Sequence, residues 1–212
     1  MTVKQADEGM IGGDVNQPLT GAQAKDFVEA GLSFIGRYLP RTAASTKGCL
    51  TQPEIQAILS AGLAILPVQH VMPDGWHPDA SLGEIYGQFA STYAEQIGIP
   101  AGVNIFLDLE GVSSGAVSSD VIAYANEWYD QVNAKGYIPG IYCGWANGLT
   151  PGQLYSDLKF KNYWAAYNYT DGVATRGVQI QQHTQKELNG IFYDPDTVKK
   201  DLLGDLPFFL FP

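Results

Sequence analysis

Apolar residues recur along this chain in two rhythms. Between Ser119 and Gly136, the residues Val121, Ile122, Ala125, Trp128, Tyr129 and Val132 return every three or four positions. That spacing predicts an amphipathic helix with one face on a sheet. Elsewhere the apolar positions are continuous and short: LSFIGRYL, LAILPVQH, VNIFLDLE and YIPGIYCG, with GGDV ahead of them all. Runs of this length and composition predict buried strands of a parallel sheet. Helix starts between them carry capping boxes, a Ser or Thr followed three residues later by Glu or Gln, at Thr20/Gln23, Thr51/Glu54, Ser81/Glu84 and Thr150/Gln153. Pro151 stands at the first helical position of the last of these, where its missing N–H is not needed. Helix ends carry Gly31, Gly62, Gly98 and Gly136, at the position that favours a left-handed backbone.

The pattern reads as five βα units in succession. Three shorter candidate strands follow, at 162–168, 177–184 and 190–198, with little room for helices between them. The expected fold is therefore α/β, an irregular TIM-type (β/α) barrel of about five βα units followed by three short strands. An open doubly wound sheet would leave the last three strands without a place. No linker or charge block divides the chain, so residues 1–212 are expected to form one barrel domain, with 1–12 as a loose N-terminal segment. The closing LPFFLFP is too short to span a bilayer and is expected to pack against the barrel.

A parallel barrel builds its site at the C-terminal ends of its strands. Those ends fall at Asp14, Arg37, His70, Asp108 with Glu110, Tyr142, Trp164 with Tyr167, and Gln182 with His183, and the eighth strand reaches Asp194 and Asp196. In an extended chain residues i and i+2 share a face, so Asp108 and Glu110 leave their strand side by side. Like charges there push their pKa values apart and make one a proton donor. Carboxylates around one mouth, lined by Tyr and Trp, are the equipment for cleaving a glycosidic bond. Glu110 is the candidate acid, with Asp108, Asp14 and Asp194 supporting it. Arg37, Tyr142, Trp164, Tyr167 and Gln182 are candidate substrate contacts. Arg37 could equally serve as a simple ion-pair partner, and for Asp196, beside Pro195, a local Asx-type turn is the stronger reading.

Composition narrows the classes. With 22 acidic and 12 basic residues the formal charge is −10, which offers nothing to phosphate backbones or anionic lipid, so neither nucleic acid nor a membrane is an expected partner. The first residues lack the apolar core of a secretory signal. Cys49 and Cys143 are far apart and form no CxxC, and each reads as a packed core residue. The three histidines show no metal-ligand spacing, and no dinucleotide, Walker or nucleophile-elbow motif occurs, so no metal and no cofactor is called for.

The runs GDVNQPLTGAQAKDFVEAGLSFIGRYLP, KGCLTQPEIQAILSAGLAILPV, IFLDLEG and GYIPGIYCGW resemble the glycoside-hydrolase-like family catalogued as domain of unknown function 1906. More distantly the layout is similar to the family 25 glycoside hydrolases, lysozymes that cut the β-1,4 bond after N-acetylmuramic acid. By that resemblance Glu110 is the general acid. Asp108 either positions an N-acetyl group acting as internal nucleophile or is itself the nucleophile. Asp14, Asp194 and Gln182 match an acid after the first strand, an acid of the closing strand and a glutamine of the seventh. The resemblance implies a hydrolase of an amino-sugar polymer, with peptidoglycan the expected substrate, working outside the cell or in its envelope, and the protein is expected to be a monomer. A carbohydrate-binding domain derived from such an enzyme, using the same cleft without cutting, is the competing expectation.

Overall fold

Eight strands close into a barrel in the computed structural model, which describes residues 1–212. In chain order the elements are β1 (Thr2–Gln5), β2 (Ile11–Val15), α1 (Gly21–Glu29), β3 (Phe34–Leu39), α2 (Gln52–Ala61), β4 (Ala64–Gln69), α3 (Ala80–Gln96) and β5 (Asn104–Leu109). They continue with α4 (Ser118–Ala134), β6 (Ile138–Cys143), α5 (Pro151–Ser156), β7 (Asn162–Ala165), β8 (Ile180–Gln182), β9 (Lys186–Leu188), β10 (Ile191–Val198) and β11 (Phe208–Phe211). Strands β2 to β8 pair in parallel in sequence order, and β10 closes the ring between β8 and β2. The five βα units and the three short strands are as expected.

The barrel is mixed, because β10 runs antiparallel to both its neighbours. The cause is a hairpin: β9 turns into β10 through Asn189 and Gly190, both at positive φ, the backbone of a two-residue turn that matches strand twist. Chain direction reverses there, so β10 descends into the barrel and delivers Asp194 to the mouth from its first half.

Alternation along each strand sorts the two faces. Phe34, Leu66, Phe106, Trp164, Ile180 and Val198 fill the barrel interior. Ile35, Leu39, Ile65, Leu107, Leu109 and Ile141 point outward into the layer beneath the helices. Helix ends follow the predicted chemistry, since Gly31, Gly62, Gly98 and Gly136 all adopt positive φ. The boxes at Thr20 and Thr150 are complete. Two differ. At α2, Thr51 accepts the Glu54 N–H, but the Glu54 side chain is drawn away to Arg37. At α3 the cap is Asp79, which accepts the Leu82 N–H at 2.8 Å, and Ser81 lies inside the first turn.

Residues 1–12 are not loose. They hold β1, which pairs antiparallel with β11, and the start of β2. Strands β4 and β5 pair only through Val68 and Gln69, so their first halves part. β11 enters beside that gap, pairing Leu210 with Ile65 and donating the Phe208 N–H to Asn104 Oδ1 at 2.6 Å. Phe209, fully buried against Phe34, plugs the end of the barrel opposite the acids. No helix is long and apolar enough to cross a membrane.

Candidate active site

A cleft of about 700 Å³ opens at the mouth, lined among others by Tyr38, Asp108, Glu110, Tyr142, Trp145 and Tyr167, with Gln182 and Asp194. Asp14 stands on β2 directly across from Asp194. It has room because its neighbour on β3 is Gly36, where a Cβ would sit 2.8 Å from that of Asp14. Its carboxylate accepts the Tyr38 hydroxyl at 2.9 Å and the Gln182 amide at 2.8 Å. Tyr142 donates its hydroxyl to Gln182 Oε1 at 2.9 Å, which fixes the amide with its NH2 toward Asp14. Burial lifts Asp14 to about 7, with Asp194 and Glu110 adding to the rise and the two hydrogen bonds opposing it.

Asp108, near the end of β5, and Glu110, one residue past it, both line the cleft, as their spacing predicts, while Leu107 and Leu109 face the helices. Asp108 is 6% exposed, and its Oδ1 has no partner. Burial first, then Glu110 and Asp14, hold it well above the ordinary carboxylate range. Glu110 is half-buried, and its carboxyl has no hydrogen bond to the protein. Burial, then Asp74 and Asp194, raise it to about 7, which keeps a large protonated fraction at neutral pH.

The main chain at Glu110 is strapped on both sides. Trp76 Nε1 donates to the Glu110 carbonyl at 2.9 Å, and the Gly75 N–H bonds the Gly111 carbonyl at 2.7 Å. On the other side the N–H groups of Gly111 and Val112 bond the carbonyls of Trp145 and Ala146. The Glu110 side chain lies over Gly144, where a Cβ would come 2.9 Å from its Cδ and closer still to its Cβ and Oε2. A half-buried carboxyl is thus aimed by fixed backbone, the condition for a positioned acid.

Asp194 lines the cleft, raised by burial and eased by a hydrogen bond with Gln185. Trp164 is 1% exposed and lies beneath the cleft. Tyr167 is 59% exposed at the rim, and Trp145, at 49%, joins it as a second aromatic face. His70 stacks on Tyr38 with ring centroids 4.3 Å apart. Burial, with Arg41 and Arg37, holds it down at about 4, so the ring is uncharged at neutral pH.

Two expectations are corrected. Arg37 is not a substrate contact: it sits on the outward face of β3 with no exposure, bonded to Glu54 at 2.6 Å and Gly48 O at 2.9 Å. Asp196 forms no Asx turn. It points into the barrel below the cleft, fully buried, accepts Trp164 Nε1 at 2.8 Å, and leaves Oδ2 unpaired. The alternation that pairs Asp108 with Glu110 also puts Tyr38 on the interior face beside Gly36, and Tyr38 was missed although that signal was present. Trp145, on the loop after β6, has no such period to reveal it.

A model of the Rv2525c-like, glycoside hydrolase-like domain family matches residues 25–198, a span that contains Asp108, Glu110, Gln182 and Asp194. The chain belongs to that family. Among solved structures, this Rv2525c-like domain is similar to an uncharacterized B. stearothermophilus protein, at 20% identity and a TM-score of 0.70 over 90% of this chain and 96% of that one. It is similar to the Tat-secreted protein Rv2525c of Mycobacterium tuberculosis, at 15% identity and a TM-score of 0.69 over 92% and 97%. A bacterial lysozyme from Streptomyces coelicolor shares the fold at 13% identity, with a TM-score of 0.56 over 93% and 95%. Comparison with curated protein sequences gives no match. At these identities the structural likeness is one of fold, a glycoside hydrolase-like barrel common to Rv2525c-like domains and lysozymes.

Proposed function

We propose that the protein hydrolyses an amino-sugar polymer, peptidoglycan being the best fit, with Glu110 as general acid. The observation that carries this reading is Glu110 itself, its main chain held by both flanking loops, its carboxyl over an open cleft without a protein hydrogen bond and raised to about 7 by burial. Its proton passes to the leaving glycosidic oxygen as the bond breaks, and positive charge develops on the sugar. Burial, Glu110 and Asp14 disfavour the ionised form of Asp108, so it serves better to orient an N-acetyl group as internal nucleophile than to attack the sugar itself. Asp14, fixed by Tyr38 and Gln182, and Asp194 supply negative potential on the opposite wall. Trp145 and Tyr167 offer exposed rings on which sugars stack. The barrel shared with the Streptomyces coelicolor lysozyme supports the reading. A cell-wall substrate puts the working protein outside the cytoplasm, acting as a monomer.

The test replaces Glu110 by Gln, which preserves shape and removes the titrating group. Turnover of purified peptidoglycan should fall by about 10²- to 10⁴-fold, with glycan affinity retained. Saturable binding with no product from either protein would instead identify a non-catalytic carbohydrate-binding domain.

A further inference from the structure

The acidic excess of the chain is repeated in its principal clefts, with one exception. The active-site cleft is lined by Asp108, Glu110 and Asp194, the recess next to it by Asp14 and Asp194, and a groove around Trp145 by Asp171, none of them with a Lys or Arg. The fourth, about 560 Å³ in volume, carries Lys199 and His183 and no carboxylate. It lies directly beside the active-site cleft, sharing Tyr167, Gln182 and Thr184 with it.

The lysine in this groove is anchored at its main chain and its charge is uncommitted. The Lys199 N–H bonds the Gln179 carbonyl at 2.8 Å, which anchors its main chain just after β10. Its ammonium has no carboxylate within ion-pair distance, whereas the adjacent Lys200 pairs with Glu8 at 3.3 Å. His183 is fixed from two directions, its N–H on the Pro195 carbonyl at 2.7 Å and its ring Nε2 within 3.0 Å of Thr197 Oγ1. Thr170 and Thr184, with Tyr167 and Tyr169, complete a polar wall with aromatic residues. A carboxylate entering the active-site cleft would meet three acids, while one diverted into this groove meets a lysine.

We propose that this groove receives a carboxylate-bearing substituent of the glycan whose sugar backbone occupies the active-site cleft, with Lys199 as its counter-charge. The proposal rests on the glycan reading above and adds to it a preference: polymers with acidic side groups bind here better than neutral ones of the same backbone.

The experiment uses the Glu110→Gln protein, so that ligand is not consumed, with and without Lys199→Glu. The probes are a soluble muropeptide with free peptide carboxylates and the same fragment with those carboxylates amidated, titrated by calorimetry at low and high salt. An exposed ion pair is worth up to about fivefold in affinity, and reversing the charge adds repulsion. Lys199→Glu should therefore weaken the free-acid fragment by about fivefold to tenfold, leave the amidated one unchanged, and lose most of its effect at high salt. Equal effects on both fragments, or none, overturn the groove assignment alone. No binding of either fragment overturns it together with the glycan reading. Release of soluble fragments by the wild type decides the hydrolase reading separately.

Discussion

Raising the pH from about 4 to about 8 draws protons from acids that folding has buried, and the sign of the effect on stability can be worked out group by group. Asp14, Asp108, Glu110, Asp194 and Asp196 are all raised in the folded protein, burial being the first cause in each. A carboxyl whose folded pKa lies above its unfolded value contributes stability that is fully present below the unfolded value. That stability is lost as pH rises through the folded one. For Asp14 the rise from 3.8 to about 7 spans about three units at about 1.4 kcal/mol each, or about 4 kcal/mol lost between about pH 4 and about pH 7. Glu110 covers a similar interval but contributes less, because its carboxyl opens on the cleft and solvent screens it. The two share part of their repulsion and do not add. Asp108 and Asp196, raised well above the ordinary carboxylate range by burial, add losses of the same sign. The assay is the urea midpoint across this range for the wild type and Asp108→Asn, which removes a charge from the middle of the cluster. The wild-type midpoint should fall steadily with pH, and the variant should fall less and be the more stable of the two at alkaline pH. A wild-type midpoint that is flat or rises over the interval would refute the reasoning.

Two further perturbations test how the site is built. Gly144→Ala places a methyl group against the Glu110 side chain. The overlap is expected to destabilise by about 1–3 kcal/mol and, by displacing the acid, to lower turnover by about 10²-fold. Full turnover in a folded Gly144→Ala protein would mean that Glu110 need not stand where it does. Glu54→Ala strips the counter-charge from Arg37 and the acceptor from the Leu19 N–H, for an expected loss of about 3–5 kcal/mol in denaturant unfolding. A substrate-binding Arg37 would instead show itself as an altered KM at unchanged stability.

Periodicity carried most of this architecture, and chain reversals carried the rest. The strands between capped helices were legible because each is a run of apolar residues that follows a helix-ending glycine with positive φ. Asp108 and Glu110 were legible because period two is unambiguous inside such a run. The same period, applied to FIGRYL, assigns Phe34, Gly36 and Tyr38 to the interior and Arg37 to the outside. Choosing Arg37 for its charge overlooked that assignment, and choosing a turn for Asp196 overlooked its place between Asp194 and Val198 on one face. The β1–β11 pair was not legible, because four-residue strands that pair across more than 200 positions of sequence leave no local signal. The direction of β10 depends on the Asn189–Gly190 hairpin, whose two residues are easily read as an ordinary loop. The groove at Lys199 joins residues on both sides of β8 and at the end of β10, a proximity that only the closed barrel creates.

The central claim is that Glu110 is the acid of a glycan hydrolase, and its most direct test is mass spectrometry of the soluble fragments released from purified peptidoglycan. Wild-type protein should release muropeptides with new reducing ends whose terminal sugar identifies the bond cut, and Glu110→Gln should release essentially none. Equal release by the two proteins would remove Glu110 from the mechanism.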